Sequence, residues 1–420
     1  MIHKDIAIVL GGTAPHVALI QNLKSRGYYV VLIDYYENPP AKQFADEHVR
    51  ESTLDKDKVL QIAKDYKAKL VICACIDQAN VTACYVAEQL DLPKPYTYQT
   101  ALEVTDKGLM KELMVLNHIP TSKYRFVKGL SDVPLAEMKF PLVVKPSDSN
   151  GSAGVRKAED INQLEEYLQK AIEISRTTGG AIVEEYKSGA EVSADCFVLN
   201  GEVDVILIRQ KYQLPYKEGQ VLQSPGSFSP GLISEKKIQD LKEIVKQISR
   251  VFNLNNTPLL IQALINEEEI NIIEFAPRVG GGLSFRTVYL NTKFDILNST
   301  VNSFLGIEEK PKYEIPSTFL ATVIVYAKPG VFKEICGLDQ LIEDGIVLEY
   351  HAYKTRGMQI GNDMSTRSRI GAFIVEGSTL EEKISKIREA VESIKVFDEE
   401  GNDLMLRNIY DDIENQKDII

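Results

Sequence analysis

The sequence predicts an α/β chain of more than one domain, with a parallel sheet first and α+β segments after it. At 420 residues the chain is longer than one hydrophobic core normally supports, so two or three domains are expected. Short apolar runs alternate with helical patterns over residues 5–90, which is typical of a parallel sheet covered by helices. Two proline-rich stretches, 92–100 and 308–316, then divide the rest of the chain.

The first segment reads as strand, helix, strand, helix, strand. Its apolar runs are DIAIVL (5–10), YYVVLID (28–34) and KLVICAC (69–75), and its helices end near Gly27 and Leu90. This order predicts a Rossmann-like, doubly wound parallel sheet.

A glycine turn, GGTAPH, follows the first strand, and Asp34 ends the second strand near the position at which a dinucleotide fold binds a ribose. The turn lacks the third glycine of the G-x-G-x-x-G pattern. A sheet without a nucleotide is therefore favoured over an NAD site.

Composition narrows the classes of partner. The formal net charge of −12 argues against a protein that binds nucleic acid or an anionic membrane, but it allows anionic small molecules held by a local cluster of Lys and Arg. No apolar run approaches the roughly 20 residues that span a bilayer, and the N-terminal apolar stretch is too short for a signal peptide. We expect a cytoplasmic protein with reduced thiols.

For Cys73, Cys75 and Cys84, buried thiols are favoured over a metal site because their neighbours are apolar.

The two proline-marked joints suggest three domains, at residues 1–100, 101–307 and 308–420. A helix is expected over 101–118, where Pro120 closes it. Further helices are expected at 160–175, 234–252 and 379–394.

The stretch LVVKPSDSNGSAGV (142–155) joins an apolar strand to a loop of small residues. Lys145 ends the strand, and the backbone amides of the loop Ser147–Gly154 can surround phosphate oxygens. The lysine precedes the glycines, whereas the lysine of a P-loop follows them. The pattern therefore indicates a phosphate site of a different kind.

The stretch AIVEEYKSGAEVSAD (181–195) predicts a strand, a junction at Glu184 and Glu185, a turn at Gly189 and a second strand that carries Glu191. Taken alone, the two adjacent glutamates are typical of surface charges at a strand end. Beside a phosphate site they become candidate ligands.

The stretch LLIQALINEEEINIIEFAPRVGGG (259–282) predicts a hairpin with its turn at 266–269 and Glu274 at the end of its second strand. Mg²⁺ prefers oxygen ligands shared with substrate phosphates. Glu274 is therefore the candidate magnesium ligand.

Four motifs in this order carry a family resemblance. They are DK-x₃-K (Asp106, Lys107, Lys111), VVKPSDSNGSAG (143–154), VEEYKSGAEVS (183–193) and IIEFAPRVGGG (272–282). Together they resemble the ATP-grasp enzymes, although Lys107 and Lys111 alone would suit a solvated helix face. The resemblance implies a Rossmann-like first domain, nucleotide binding between two α+β lobes, and a small C-terminal α+β lid.

The resemblance also implies roles for particular residues. Lys107 and Lys145 would contact the α- and β-phosphates, the loop 149–154 would cover the β/γ end, Glu184 would lie at the adenine hinge, and Glu191 would hold the ribose. The implied ATP ligands are Lys107, Lys145, Ser149, Gly151, Ser152, Gly154, Glu184, Glu185 and Glu191.

Two positions depart from the family pattern around the metal. Glu274 would be the principal Mg²⁺ ligand, but Gln262 stands where the preceding strand usually carries an acidic ligand, and Ala276 stands where Asn is frequent. Gln262 could offer a neutral carbonyl oxygen. A second metal position is therefore expected to be weak or to be built from other residues.

The resemblance places the chemistry at Arg278 and Lys145. Arg278 would stabilise the transferring phosphoryl group or hold the acceptor carboxylate. Candidate substrate contacts are Arg209, Lys211, Gly280, Gly281 and Gly282.

The expected reaction is an ATP-dependent carboxylate–amine ligation through an acyl phosphate, with an amino acid as one substrate. Small-molecule carboxylates and amines, ATP and Mg²⁺ are the expected ligands, and a homodimer is the expected assembly. A purine-type ligase or carboxylase is the enzymatic alternative. A nucleotide-binding regulator with reduced catalysis is the alternative from another class, because of Gln262 and Ala276.

Overall fold

The structure is a computed structural model that describes residues 4–148, 153–175, 179–213, 224–362, 366–411 and 413. Its first segment is a parallel sheet flanked by helices. The strands are β1 (Ile6–Leu10), β2 (Tyr29–Ile33), β3 (Glu47–Val49) and β4 (Leu70–Ile72), and the helices are α1 (Ala14–Ser25), α2 (Lys56–Asp65) and α3 (Asp77–Gln89). The strand order is β3-β2-β1-β4, all parallel. The predicted parallel sheet is confirmed; β3 was not predicted because its three residues, EHV, form no apolar run.

The glycine turn after β1 is filled by the chain itself. A Cβ at Gly12 would lie 2.5 Å from Pro39 Cβ and 3.1 Å from Asp34 Oδ2. Asp34 is 7% exposed and accepts a hydrogen bond of 2.8 Å from the Tyr36 amide. Close packing therefore accounts for Gly12 and for the burial of Asp34, and the preference for a sheet without a nucleotide stays a prediction. Cys73 and Cys84 are buried as predicted, whereas Cys75 is half-buried.

The prediction of a single helix over 101–118 was wrong, because two helices occupy this region. They are α4 (Tyr98–Glu103) and α5 (Lys107–Leu116). The Asp106 carboxylate accepts hydrogen bonds from the amides of Gly108 at 2.8 Å and Leu109 at 3.0 Å, which caps a new helix instead of continuing the old one. Lys107 consequently lies in the first turn of α5.

A four-stranded antiparallel sheet follows. Its elements are β5 (Tyr124–Val127), β6 (Leu142–Pro146), β7 (Arg156–Ala158), α6 (Ile161–Ile174) and β8 (Ala181–Glu185), with the strand order β5-β8-β6-β7. Helix α6 confirms the helix expected at 160–175 and packs against β6. The apolar side of this sheet is buried under α6, so the ends of β6 and β8 hold Lys145 and Glu184 in fixed positions.

An eight-stranded antiparallel sheet forms the centre of the molecule, with the order β13-β12-β9-β10-β11-β14-β18-β16. Its strands are β9 (Ala190–Leu199), β10 (Glu202–Lys211), β11 (Gly226–Ser229), β12 (Thr257–Ile265), β13 (Ile270–Ala276), β14 (Phe319–Tyr326), β16 (Glu349–Ala352) and β18 (Arg369–Gly377). The predicted hairpin is confirmed as β12 and β13, with Gln262 opposite Glu274.

Helices and a small sheet complete the fold. They are α7 (Glu235–Val251), α8 (Ser284–Thr292), α9 (Ile296–Phe304), β15 (Gly330–Cys336), α10 (Leu338–Glu343), β17 (Gln359–Ile360), α11 (Leu380–Ser393) and β19 (Lys395–Asp398), the small sheet having the order β17-β15-β19. No helix in the described ranges is both long and apolar enough to cross a membrane.

The central sheet continues through the proline-marked joint at 308–316. Strand β11 pairs with β14, so the segment after the joint is hydrogen-bonded to the segment before it. The division into domains at 100 and 307 stays a prediction.

Gly226 lies close to the backbone of β14, and this contact gives a stability prediction. A Cβ at Gly226 would lie 2.2 Å from the Thr322 carbonyl oxygen. Gly226→Ala must therefore push β11 away from β14, and we expect it to cost about 2 kcal/mol and lower the Tm by about 3 °C. The measurement is thermal unfolding beside Gly129→Ala, where the nearest atom, Ser131 Oγ, is 4.0 Å away. Equal melting of the two variants would contradict the contact.

Candidate functional site

The structure brings the predicted lysines and glutamates together. Lys145 and Glu184 come from the four-stranded sheet, Glu274 comes from β13 of the central sheet, and Lys107 and Lys111 come from α5. Ion pairs connect these residues into two groups, one around Glu184 and one around Glu274.

Glu184 is held between two lysines. One carboxylate oxygen pairs with Lys145 Nζ, and the other accepts from Lys111 Nζ at 3.1 Å. All three residues are buried, with 6% of Glu184, 6% of Lys145 and 1% of Lys111 exposed. Burial alone would raise the pKa of Glu184, but Lys111 and Lys145 outweigh burial and hold that pKa below its usual value. Glu184 is therefore an ionised carboxylate clamped in a fixed orientation.

Lys111 also connects the two sheets. Its Nζ donates to Thr121 Oγ1 at 2.7 Å, and Thr121 donates in turn to the Ile272 carbonyl of β13 at 2.8 Å. Burial lowers the pKa of Lys111 to about 8, although Glu184 opposes the shift. Interpreting Lys107 and Lys111 as a solvated helix face is wrong, because their side chains are only 15% and 1% exposed.

Glu274 faces a cleft that Lys107, Gln262 and Arg278 also line. Lys107 Nζ lies 3.3 Å from Glu274 Oε2. Desolvation of Glu274 would raise its pKa, but the charges of Lys107 and Lys145 dominate and lower it to about 2. Glu274 is therefore ionised at neutral pH, while 34% of its side chain remains exposed to solvent.

The residues around Glu274 fit Mg²⁺ bound through one strong protein ligand. Gln262 pairs with Glu274 across the β12–β13 ladder and can contribute its carbonyl oxygen, whereas Ala276 has no donor atom. In the described ranges, no group of three or more His, Cys, Asp or Glu side chains is arranged to hold a metal. Such a donor set suits an ion that takes its other ligands from phosphate oxygens and water.

Arg278 is fixed by a carboxylate of the first segment. Its Nε and Nη2 donate to the two oxygens of Asp77 at 2.6 and 2.8 Å, and its Nη1 donates to the Val279 carbonyl at 2.9 Å. Burial alone would lower the pKa of Arg278, but Asp77 raises it above the ordinary value. Asp77 is the first residue of α3, so this pair joins the parallel sheet to the hairpin of the central sheet.

The candidate substrate contacts on β10 also have carboxylate partners on β9. Lys211 pairs with Glu191, the predicted ribose ligand. Arg209 donates to both oxygens of Asp195, at 2.6 and 3.1 Å. Each of these cations therefore has a fixed position on the floor of the central sheet.

The glycines after Arg278 differ in the space beside their backbones. A Cβ at Gly280, which is buried, would lie 2.6 Å from Ser284 Oγ and 3.2 Å from Arg209 Nη2, and one at Gly282 would lie 2.9 Å from the Tyr353 hydroxyl. Gly281 is exposed and has nothing within 4 Å of such an atom. The backbone at Gly281 is therefore open to an approaching group, whereas Gly280 is packed beside Ser284 and Arg209.

The remaining predicted ATP ligands are Ser149, Gly151, Ser152, Gly154 and Glu185, of which the first three lie outside the described residues. Gly154 has a φ of +78°, and a Cβ there would lie 2.7 Å from Ile174 Cδ1, so the position suits a glycine. The Glu185 carboxylate accepts a hydrogen bond of 3.1 Å from the Lys139 amide, in the segment before β6.

The carboxylate partners of Arg209 and Arg278 were not predicted from the sequence. Asp77 and Asp195 were not singled out, and Lys111 entered only as part of a motif. Asp195 could have been found from strand pairing, because it lies on β9 opposite Leu207, two residues before Arg209 on β10. Asp77 is 201 residues from Arg278, and nothing local in the sequence connects them.

Comparisons with known proteins agree with this geometry. Residues 138–286 match the family model of the ATP-grasp domain. The chain is 21% identical to the L-arginine-specific L-amino acid ligase of Bacillus subtilis, over 76% of this chain and 78% of that protein. It is 23% identical to the formate-dependent phosphoribosylglycinamide formyltransferase of Prochlorococcus marinus, over 89% and 92%.

A solved structure shows the same fold. The biotin carboxylase domain of the 2-oxoglutarate carboxylase of Hydrogenobacter thermophilus, a dimer in complex with MgADP, ADP and bicarbonate, superimposes with a TM-score of 0.75 at 15% identity, covering 94% of this chain and 91% of that one. Residues 138–286 therefore correspond to an ATP-grasp domain, and over most of its length the chain resembles the L-amino acid ligases and the purine-pathway ligases.

Proposed function

We propose that the protein is an ATP-dependent carboxylate–amine ligase that uses Mg²⁺, forms an acyl phosphate and takes an amino acid as one substrate. The observation that carries this proposal is the convergence of Lys107, Lys111 and Lys145 on Glu184 and Glu274 between the two antiparallel sheets. Likeness to an amino-acid ligase over most of the chain supports the choice of substrate.

The nucleotide phosphates would lie at Lys107 and Lys145. Both lysines contact carboxylates in this structure, so binding of ATP would exchange those partners for phosphate oxygens. Glu184 and the backbone that follows it would border the adenine, and Glu191 would hold the ribose hydroxyls. The glycine loop that includes 149–152 would cover the terminal phosphates.

Mg²⁺ would be held by Glu274, with Gln262 as a neutral second ligand. When bound, the ion supplies charge neutralisation on the phosphate oxygens. If Lys107 leaves Glu274 for a phosphate, the carboxylate oxygen that Lys107 contacts in this structure becomes available to the ion.

The chemistry needs positioning and charge stabilisation and no side-chain nucleophile. A carboxylate oxygen of the acceptor attacks the γ-phosphorus, and the bond from that phosphorus to the bridging oxygen breaks with ADP as the leaving group. The amine nitrogen then attacks the acyl carbon, loses a proton, and expels phosphate. Arg278, Arg209 and the amides of Gly280–Gly282 would hold the acyl phosphate oxygens.

Two alternatives have observations in their favour. A purine-type ligase or carboxylase is supported by the likeness to the formyltransferase relative over most of the chain. A regulator with reduced catalysis is supported by Gln262 and Ala276, which give the site a single carboxylate ligand. We propose a cytoplasmic homodimer for either enzymatic form.

A phosphate-release screen over pairs of carboxylates and amines, with ATP and Mg²⁺, tests the proposal. We expect one set of amino-acid pairs to release phosphate in step with the appearance of a C–N-linked product seen by mass spectrometry. Phosphate release with only purine-type acceptors would favour the first alternative. Binding of ATP without turnover for any pair would favour the regulator.

Lys145→Ala should abolish turnover, since it removes a fixed cation from the phosphates. We expect a loss of a hundredfold or more, on the order of several kcal/mol in the transition state. Steady-state phosphate release and nucleotide titration measure the effect, with Lys170→Ala on the exposed side of α6 as the control. Turnover that is unchanged in Lys145→Ala would remove Lys145 from the phosphate site.

Substitutions at Glu274 and at Gln262 should differ sharply in their effect on turnover. Glu274→Gln removes the one carboxylate ligand and should nearly abolish turnover, whereas Gln262→Ala should cost no more than about tenfold, or ~1.4 kcal/mol. Gln262→Glu should lower the Mg²⁺ concentration at half-maximal rate, because it adds a negative ligand. Titrations of rate against Mg²⁺ measure these effects. If both Gln262 variants are as inactive as Glu274→Gln, Gln262 is an essential ligand and the ranking is wrong.

A further inference from the structure

We propose that Lys111 is a positioning residue: it is the buried counter-charge that keeps Glu184 paired when Lys145 turns from Glu184 to a nucleotide phosphate. The inference rests on the proposed nucleotide site and adds a residue that would not touch the nucleotide. The two oxygens of Glu184 have different lysine partners, Lys145 on one and Lys111 on the other.

The exchange at Lys145 creates an electrostatic problem. Only 8% of the Glu184 side chain is exposed, so water cannot replace a lost partner efficiently. A buried carboxylate that loses its sole cation is strongly destabilised. With one lysine alone, Glu184 would therefore retain Lys145 and compete with the phosphates for it.

Lys111 is built to stay while Lys145 moves. Its side chain is 1% exposed, and its ammonium group is fixed by Glu184 and by Thr121, which is anchored on the Ile272 carbonyl. Lys145 instead is the residue before last of β6, close to the loop that would cover the phosphates. Lys111 would therefore stay paired with Glu184, whereas Lys145 would exchange Glu184 for a phosphate.

Lys111→Met tests this division because it keeps the length of the side chain and removes the charge. The probe is the non-hydrolysable analogue AMP-PNP with Mg²⁺, titrated calorimetrically into the full-length protein. We expect affinity to fall about tenfold or more in Lys111→Met. The double variant Lys111→Met with Glu184→Gln should recover much of the loss, since Lys145 is then released from a neutral partner.

Lys383→Met is the matched control. Lys383 on α11 is also a buried lysine, 2% exposed, and its ammonium group lies 4.1 Å from the centre of the Phe228 ring. It should bind AMP-PNP as the wild type does. Thermal unfolding of every variant establishes that each is folded before its affinity is compared.

The pH profile gives a second measurement, in which the wild type supplies the step and Lys111→Met is the comparison. The charged groups that face Lys111 are Glu184 on β8, Lys145 on β6 and Glu274 on β13. Burial lowers the pKa of Lys111 to about 8, so Lys111 loses its charge as the pH rises through that value. Wild-type affinity should therefore fall between about pH 7 and about pH 9, and Lys111→Met should lack this step.

The outcomes separate the two proposals. If the wild type does not bind AMP-PNP, the nucleotide site itself is wrong and this inference fails with it. If the wild type binds but Lys111→Met binds equally well, or the double variant recovers nothing, the counter-charge role alone is overturned. An equal loss in Lys383→Met would show a general effect of removing a buried lysine and would also overturn it.

Discussion

The pairing of lysines with two carboxylates connects the parts of this molecule. Glu184 and Glu274 come from different sheets, and lysines from other elements lower the pKa of each. Those lysines are delivered by α5 and β6, so the positions of the helix and both sheets are coupled through charge. Asp77 and Arg278 extend the same coupling to the parallel sheet. An ion pair removed at any of these points would leave a charge in a poorly solvated place.

This arrangement also suggests why the site can bind a polyanion in a protein of net charge −12. The cations that would meet phosphates are neutralised by carboxylates in the structure, so the cleft carries little net charge. Binding would replace internal anions with external ones. Mg²⁺ could then take the place that Lys107 leaves at Glu274.

Local pattern was sufficient for much of the fold. Strands β1, β2 and β4 of the first segment, the β12–β13 hairpin and the helices α6, α7 and α11 followed from apolar periodicity and turns. The break between α4 and α5 did not, because the capping strength of Asp106 competes with a continuous helical pattern and the pattern alone does not show which prevails. The partners of the site cations depend on tertiary packing. Asp77 and Arg278 meet only because folding brings the start of α3 to the segment that follows β13, and no spacing along the chain predicts this.

The pairing of β11 with β14 has a consequence for how the chain can be shortened. A protein ended at the proline-marked joint near 308 would lose the whole of β14, β16 and β18. Strand β11 would then become an unprotected border of the central sheet, with a row of amides and carbonyls open to pairing with another molecule. Self-association is therefore the hazard that truncation would introduce. The last hundred or so residues protect this edge of the central sheet from pairing with another molecule.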